Sequence, residues 1–222
     1  MVIKFLFLQL KVLLFSVAGL IMTVIPGPDK TGRRRIKGMA GNIVSYAGII
    51  LFLMPWITIT FLPQPRFAGI LRAATLLIGF NFVILAVVLY LVALKFILPA
   101  FRKDFSEFTP QKLITAGPYK YVRNPIYAAV FIIILGLYLV TGAAFSILFV
   151  PLLYMFFKGI ILYEEKMILE PNFKEDFIKY KHIVPASLLD FKGGIVIKLI
   201  CVVLIALSLI HNSRVIIFNF IK

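Results

Sequence analysis

The chain has 222 residues, of which 62% are apolar and only 15% are charged, and its mean hydropathy is +1.03. A soluble domain is nearer about half apolar and a quarter charged, so this composition excludes an ordinary soluble globular protein. Lys and Arg outnumber Asp and Glu by 24 to 9, an excess that would suggest nucleic-acid binding in a soluble chain.

Long apolar runs organise the chain from end to end. Each is close to the ~20 residues that cross ~30 Å of hydrocarbon as a helix, and backbone groups in lipid must be bonded within their own segment. The runs do not alternate apolar and polar residues as barrel strands do. We therefore predict an all-α, polytopic integral membrane protein with five or six transmembrane helices, near 5–25, 43–62, 69–98, 126–141, 143–162 and 195–213.

The first run resembles a secretory signal because Lys4 precedes it. Its length and the lack of a small-residue cleavage site before Pro26 favour a retained helix instead. The loop that follows, 26–42, is rich in Gly and Arg, which predicts a turn with a basic patch that faces anionic lipid.

Basic residues are concentrated in alternate loops. Segments 26–42, 99–124 and 164–194 carry five Lys or Arg each, whereas 63–68 carries only Arg66 and the turn near 142 carries none. Basic residues in short loops orient membrane helices with those loops in the cytoplasm. The pattern therefore predicts three cytoplasmic loops on one face, an explanation of the net charge of +15 that needs no nucleic acid.

The runs 126–141 and 143–162 predict a C-terminal helical hairpin, with Gly136, Gly142 and Pro151 available for close packing and a tight turn. Polar stretches at 113–127 and 163–185 flank this hairpin at its cytoplasmic end, so we expect them to be neighbours in space. We predict three regions: N-terminal helices on the acceptor side (1–94), a cofactor-binding region with the hairpin (95–194), and a last helix and tail (195–222).

Asn124 and Pro125 precede an apolar run and predict a helix start, with Asn as the N-cap and Pro in the first turn. An N-cap alone would explain both residues. A helix N-terminus also presents free N–H groups, and Arg123 adds a fork of donors beside them, so the same segment is a candidate anion site. Tyr119 and Tyr121 individually are typical of membrane anchors.

The acidic pair Glu164–Glu165 adjoins the end of an apolar span, where ionised carboxylates are costly unless they are paired or hydrated. Neighbouring helical side chains point ~100° apart, so only one of the two is expected to face the hairpin interior. A solvated helix end is the simplest interpretation. The alternative is a site for a zwitterion, with an anion pocket on one helix end and a carboxylate on the other, as the amino-acid end of a cofactor requires.

The segments GPYKYVRNPIY, YEEKMIL and NFKEDFIKYKHIVP, in this order, resemble the C-terminal signature of the isoprenylcysteine carboxyl methyltransferase family. That family belongs with the phospholipid methyltransferases among membrane-embedded, S-adenosylmethionine-dependent enzymes. The resemblance covers about residues 95–190 and implies a cofactor site that faces the cytoplasm.

The resemblance assigns roles to particular residues. Arg123, Asn124 and Glu165 are the candidate catalytic residues. The candidate cofactor-binding residues are Leu113, Gly117, Tyr119, Val122, Arg123, Asn124, Pro125, Tyr127, Glu164, Glu165 and Leu169.

Two positions depart from the family pattern. Asn124 stands where His is usual, and Ala129 stands where Gly is frequent. Asn can cap a helix and form hydrogen bonds, but it cannot titrate near neutral pH. A base role for the residue is therefore absent, whereas a role in orienting the cofactor remains open.

The resemblance implies methyl transfer from S-adenosylmethionine to a lipid-like or prenylated acceptor from the bilayer. Carboxyl O-methylation of an isoprenylcysteine is the first expectation because a carboxylate is already ionised at neutral pH. Phospholipid amine N-methylation and small-thiol S-methylation follow, and a non-catalytic protein that keeps the fold is the alternative of another class. The chain holds Cys201, His182 and His211 as its only Cys and His residues, far apart in sequence, so no metal site is expected.

Overall fold

The computed structural model describes residues 2–25, 38–100, 110–190 and 192–220. Their helices are α1 (Val2–Val24), α2 (Gly38–Thr58), α3 (Gly69–Ile97), α4 (Pro125–Thr141), α5 (Val150–Glu164), α6 (Glu170–Ile183) and α7 (Lys192–Phe220). A π-helical turn, Glu165–Leu169, joins α5 to α6 without a break. Within these ranges the only β-structure is an isolated bridge between Arg66 and Ala143.

The prediction of an all-helical integral membrane protein is confirmed. Among the described residues, four helical segments have the length and apolar composition of a membrane span: Ala40–Phe61, Gly69–Ala100, Ser146–Ile183 and Gly194–Ser213. Two further apolar helices, Leu10–Val24 and Pro125–Thr141, are shorter. The number of spans, five or six, stays a prediction. Residues 26–37 of the basic loop predicted at 26–42 lie outside the described residues, and 38–42 belong to α2.

Close helix packing occurs in two pairs, α1 with α2 and α3 with α4. A Cβ built on Gly79 of α3 would lie 2.8 Å from the Gly136 carbonyl oxygen of α4, and one on Gly19 would lie 2.7 Å from the Gly48 carbonyl oxygen. Small residues let helix backbones approach in this way. Gly136 therefore packs against α3, and the expectation that it would tighten the α4–α5 hairpin is wrong.

The hairpin between α4 and α5 turns at Gly142, which ends α4 in the left-handed region at φ 68°. Glycine has no Cβ to oppose this conformation. A 3₁₀ turn (Ser146–Phe149) follows, and Pro151 lies in the first turn of α5. The second hairpin helix thus begins at Val150, later than the expected 143, because the turn itself occupies the intervening residues.

The interior contact between α5 and its neighbours is aromatic. Phe157 of α5 lies edge-on to Phe131 of α4, with ring centroids 6.0 Å apart, and to Phe52 of α2, at 5.7 Å. Large apolar side chains on the outer surfaces of α3 and α7, such as Leu77 and Leu199, are exposed. Exposed apolar surface on this scale suits contact with lipid.

The predicted regional boundaries at 94 and 194 fall within helices, since α3 continues to Ile97 and α7 begins at Lys192. The division into three regions stays a prediction.

Candidate functional site

A large cavity opens at one end of the helical bundle, which we call the main cavity. Its volume is about 980 Å³, at the upper end of the ~300–1,000 Å³ range of small-molecule sites. Its walls come from the ends of α1, α2, α3, α4 and α5, from α6, and from segment 110–127. The two polar stretches that flank the hairpin in sequence therefore meet at one cavity.

Arg123 and Glu165 form a bidentate ion pair beneath this cavity. Arg123 Nε lies 2.9 Å from Glu165 Oε1, and Nη2 lies 3.2 Å from Oε2. Arg123 Nη1 donates to the carbonyl oxygens of Val184 (2.6 Å) and Pro185 (2.8 Å). With its donors engaged and its side chain 7% exposed, Arg123 ties the start of α4 to the π-helical turn and to the segment after α6.

The hypothesis that Arg123 offers a free fork to an anion is therefore wrong, because that fork is already occupied by Glu165. Two carboxylate oxygens and two backbone carbonyls satisfy the planar guanidinium. Such a matched pair withstands burial, whereas an unpaired charge there would be costly.

Asn124 occupies the N-cap position of α4, as predicted, but its side chain makes no capping hydrogen bond. The side-chain amide instead donates to Glu165 Oε1 and to the Ser187 carbonyl oxygen, both at 3.1 Å. The capping role predicted for this side chain is wrong, because its amide is held by acceptors outside α4. Asn124 thus supports Glu165.

Glu164 and Glu165 point in different directions, as helix geometry requires. Glu165 is 2% exposed and does not line the main cavity, whereas Glu164 does. Tyr127 lines the main cavity together with Glu164. Glu164 Oε2 is buried and finds no partner within the described residues. This oxygen is therefore available to a ligand in the main cavity.

Tyr119 supplies a second uncommitted polar atom in the main cavity. Its backbone carbonyl accepts a hydrogen bond from the Tyr180 hydroxyl at 2.7 Å, which fixes the 3₁₀ turn Gly117–Lys120 against α6. Its own hydroxyl is buried without a partner among the described residues. Burial and the nearby Glu164 carboxylate raise the pKa of this hydroxyl well above its ordinary value, so it remains a donor.

Most of the sequence-predicted residues do converge on the main cavity. Those that line it are Leu113, Tyr119, Arg123, Asn124, Pro125, Tyr127, Glu164 and Leu169. Gly117, Val122 and Glu165 do not line it. Gly117 has φ 60°, and a Cβ there would lie 2.5 Å from the Phe96 ring, so its place is against α3. Val122 is buried in the same segment.

Sequence reasoning missed several wall residues. Lys112 lines the cavity beside Leu113 and forms no ion pair within the described chain, which makes it the uncommitted cation of the site. The position of Lys112 next to Leu113, which was predicted, could have indicated that Lys112 belongs to the site. Tyr46 and Phe52 of α2 and Leu20 of α1 also line the cavity. The sequence did not indicate that α1 and α2 contribute to the wall, because lipid-facing and cavity-facing side chains of an apolar helix are the same residue types.

These features define a helical integral membrane protein with an apolar, partly acidic ligand cavity at one end of its bundle. Residues 68–176 match the family model described as phospholipid methyltransferase, a family of membrane methyltransferases. The match confirms the resemblance, although it begins earlier, at α3, and ends before Phe177. No curated protein and no solved structure matches the chain.

Proposed function

We propose that this protein transfers a methyl group from S-adenosylmethionine to a lipid-like acceptor that enters the main cavity from the bilayer. The observation that carries the proposal is the buried carboxylate oxygen of Glu164, which has no partner among the described residues. It lies in a cavity whose remaining walls are largely the apolar faces of membrane helices. Such a cavity can hold one polar ligand and one apolar ligand side by side.

The chemistry of the wall residues fits the cofactor. Glu164 and Tyr119 each present a buried polar atom without a partner in the described chain, and Lys112 supplies a cation nearby. A carboxylate and an ammonium can hold the two ends of a zwitterionic amino-acid group, and the Tyr127 and Phe173 rings in the wall suit a sulfonium. S-adenosylmethionine supplies a methyl group whose bond to sulfur breaks as the acceptor's new bond forms.

The protein contributes chiefly by aligning the cofactor with the acceptor and by excluding water from the cavity. In-line displacement gains most from fixed geometry, and Arg123, Asn124 and Glu165 supply it by locking the two polar stretches together beneath the cavity. These three residues thus act as positioning residues in this proposal. Glu164, Tyr119, Tyr127 and Lys112 contact the ligand.

Carboxyl methylation of an isoprenylcysteine-type acceptor is the leading reaction. A carboxylate is ionised at neutral pH and needs no base, and neither histidine of the chain is among the residues that line the cavity. A prenyl chain suits the apolar wall formed by α1, α2 and α5.

Phospholipid amine methylation is the second candidate, and Glu164 is the observation that favours it. A carboxylate in the cavity can attract an ammonium and receive its proton, which an amine must lose before it can attack. The description of the matched family points to the same acceptor class. Small-thiol methylation is third, because it too needs a base but uses less of the apolar wall.

Cofactor binding and acceptor choice are tested together. Full-length protein in nanodiscs is assayed by calorimetry for S-adenosylmethionine binding and then supplied with methyl-labelled cofactor and a prenylcysteine, a phosphatidylethanolamine or a small thiol. Carboxyl methyl esters release methanol in base and N-methyl groups do not. We expect saturable binding and base-labile label on the prenylcysteine. Stable label on the amine lipid would establish the second candidate, and absence of cofactor binding would leave a non-catalytic protein that keeps the fold.

We also propose that the main cavity opens to the cytoplasm, because residues in or next to the predicted basic loops, such as Val24 and Pro110, line it. Ala116 and Ala68 are both exposed and lie at opposite ends of the bundle. In a Cys201→Ala background, Ala116→Cys should react only with reagent on the cytoplasmic side and Ala68→Cys only with reagent outside. The reverse pattern would place the cavity outside.

A further inference from the structure

A second concavity, which we call the lysine groove, lies beside the main cavity and has α6 as one wall. Its volume is about 790 Å³. Its walls come from the loop before the 3₁₀ turn, from that turn, and from α6. Both the groove and the main cavity are lined by Lys112, Leu113, Phe173 and Tyr180, so the two spaces adjoin.

The groove concentrates lysine side chains that form no ion pair within the described chain. Lys112, Lys120 and Lys179 come from three different segments and form no ion pair among the described residues, and Asp176 is the one acidic residue in the wall. The neighbouring Lys181, in contrast, is paired with Glu170 at 3.3 Å. Three ammonium groups and one carboxylate leave the groove with a net positive charge that attracts an anion, and two of the three, Lys120 and Lys179, do not line the main cavity.

Apolar side chains accompany these lysines. Ile183 lines the groove and is 79% exposed, and Tyr121 and Ile178, on the flanking turn and helix, are 73% and 50% exposed. The wall segment 111–120 lies in sequence between Ile97, the end of α3, and Pro125, the start of α4, where apolar spans give way to a polar loop. A soluble anion uses the charge alone, whereas a lipid uses both the charge and the exposed apolar surface.

From this combination we propose that the lysine groove binds the phosphate headgroup of an anionic phospholipid of the leaflet at this end of the bundle. Lys120 and Lys179 contact the phosphate oxygens, and Ile183 contacts the adjoining hydrocarbon. This site is separate from the position of the methyl acceptor in the main cavity. The proposal is therefore the same for every acceptor considered above.

The experiment uses the full-length protein in detergent, titrated with phosphatidylglycerol and with phosphatidylcholine and followed by native mass spectrometry. We expect tighter binding of phosphatidylglycerol. The double variant Lys120→Gln/Lys179→Gln should weaken that binding roughly ten- to thirty-fold, at about five-fold per basic residue near anionic lipid. Both side chains are exposed, so the variant should fold.

The matched control is Lys95→Gln/Lys166→Gln, which removes the same charge from two exposed lysines that line neither space. It should leave phosphatidylglycerol binding within about two-fold of wild type. An equal loss in the control would show diffuse attraction instead of a site and would overturn the proposal, as would equal affinity for the two lipids.

A second variant separates the lipid from a soluble anion. Ile183→Gln keeps every charge and should weaken phosphatidylglycerol binding several-fold, and inorganic phosphate at millimolar concentration should not displace the lipid. If phosphate displaces the lipid and Ile183→Gln has no effect, the groove is a soluble-anion site and the lipid proposal fails.

Discussion

The guanidinium of Arg123 at the start of α4 and the carboxylate of Glu165 in the π-helical turn form a bidentate pair 42 residues apart in sequence. Both side chains are almost fully buried, at 7% and 3% exposed. Removing one partner of such a pair leaves the other as an uncompensated buried charge.

Glu165→Gln should therefore lower the free energy of unfolding by about 3–5 kcal/mol. The measurement is denaturant unfolding of the protein in detergent micelles. Glu170→Gln is the control, because Glu170 bonds only to the exposed Lys181 in the described chain, and it should cost less than about 1 kcal/mol. Equal small losses in both variants would contradict the structural role of the buried pair.

Glu164→Gln should separate binding from stability. Glu164 Oε2 has no partner in the described chain, so neutralising it should leave the free energy of unfolding unchanged or raised. A lost charged hydrogen bond should weaken S-adenosylmethionine binding by about 1.5–3 kcal/mol, or roughly ten- to a hundred-fold. Calorimetric titration and unfolding of the same preparation test both effects. Normal binding by this variant would remove Glu164 from the ligand site.

Substitutions of Asn124 should rank by how many hydrogen bonds they can donate. Asn124 donates to Glu165 Oε1 and to the Ser187 carbonyl oxygen. Asn124→His keeps one donor and should be the mildest change, and Asn124→Ala should cost about 1–3 kcal/mol. Asn124→Asp should be the most destabilising at neutral pH, because it sets a carboxylate against that of Glu165. If Asp proves milder than Ala in unfolding measurements, the amide's role as a donor is wrong.

Asp190 should make the stability of the fold depend on pH, and the sign of that dependence follows from the shift of its pKa. Burial alone would raise its pKa, but hydrogen bonds from Lys198 (2.7 Å) and Lys158 (2.9 Å) outweigh burial and hold the pKa well below its ordinary value of 3.8. A carboxyl with a lowered pKa stabilises the fold above its unfolded pKa, and that contribution is lost as the pH falls towards its folded pKa. The free energy of unfolding of the wild type should exceed that of Asp190→Asn by about 0.5–1 kcal/mol at neutral pH, and this difference should become smaller below about pH 4.

The α3–α4 contact can be tested with two glycines. A Cβ on Gly79 would lie 2.7 Å from the Val140 backbone nitrogen, whereas one on Gly159 has nothing within 4 Å. Gly79→Ala should lower the thermal midpoint of the detergent-solubilised protein by forcing the helices apart. Gly159→Ala should raise or preserve it, because alanine favours a helix by about 0.5–1 kcal/mol over glycine. Similar midpoints for the two variants would argue against the close backbone approach.

The sequence by itself determined the fold class, the positions of the apolar helices and the segments that form the cavity. Hydropathy decides these features, because a bilayer leaves an apolar run little choice but a helix. The order of polar stretches around the hairpin likewise indicated that Leu113, Tyr119, Tyr127 and Glu164 would meet, and they do line one cavity.

Only the tertiary structure decided what each polar side chain does. Arg123 and Asn124 looked like an anion site and a helix cap, yet both are committed to Glu165. Glu164 and Glu165 are adjacent on a helix, so their side chains point in different directions. Glu165 joins that hydrogen-bond network, and Glu164 lines the cavity. A sequence gives the order of such residues but not their hydrogen-bond partners. The partners lie up to 63 residues away, and two of them, the Glu165 carboxylate and the Ser187 carbonyl, share one donor group, the Asn124 amide.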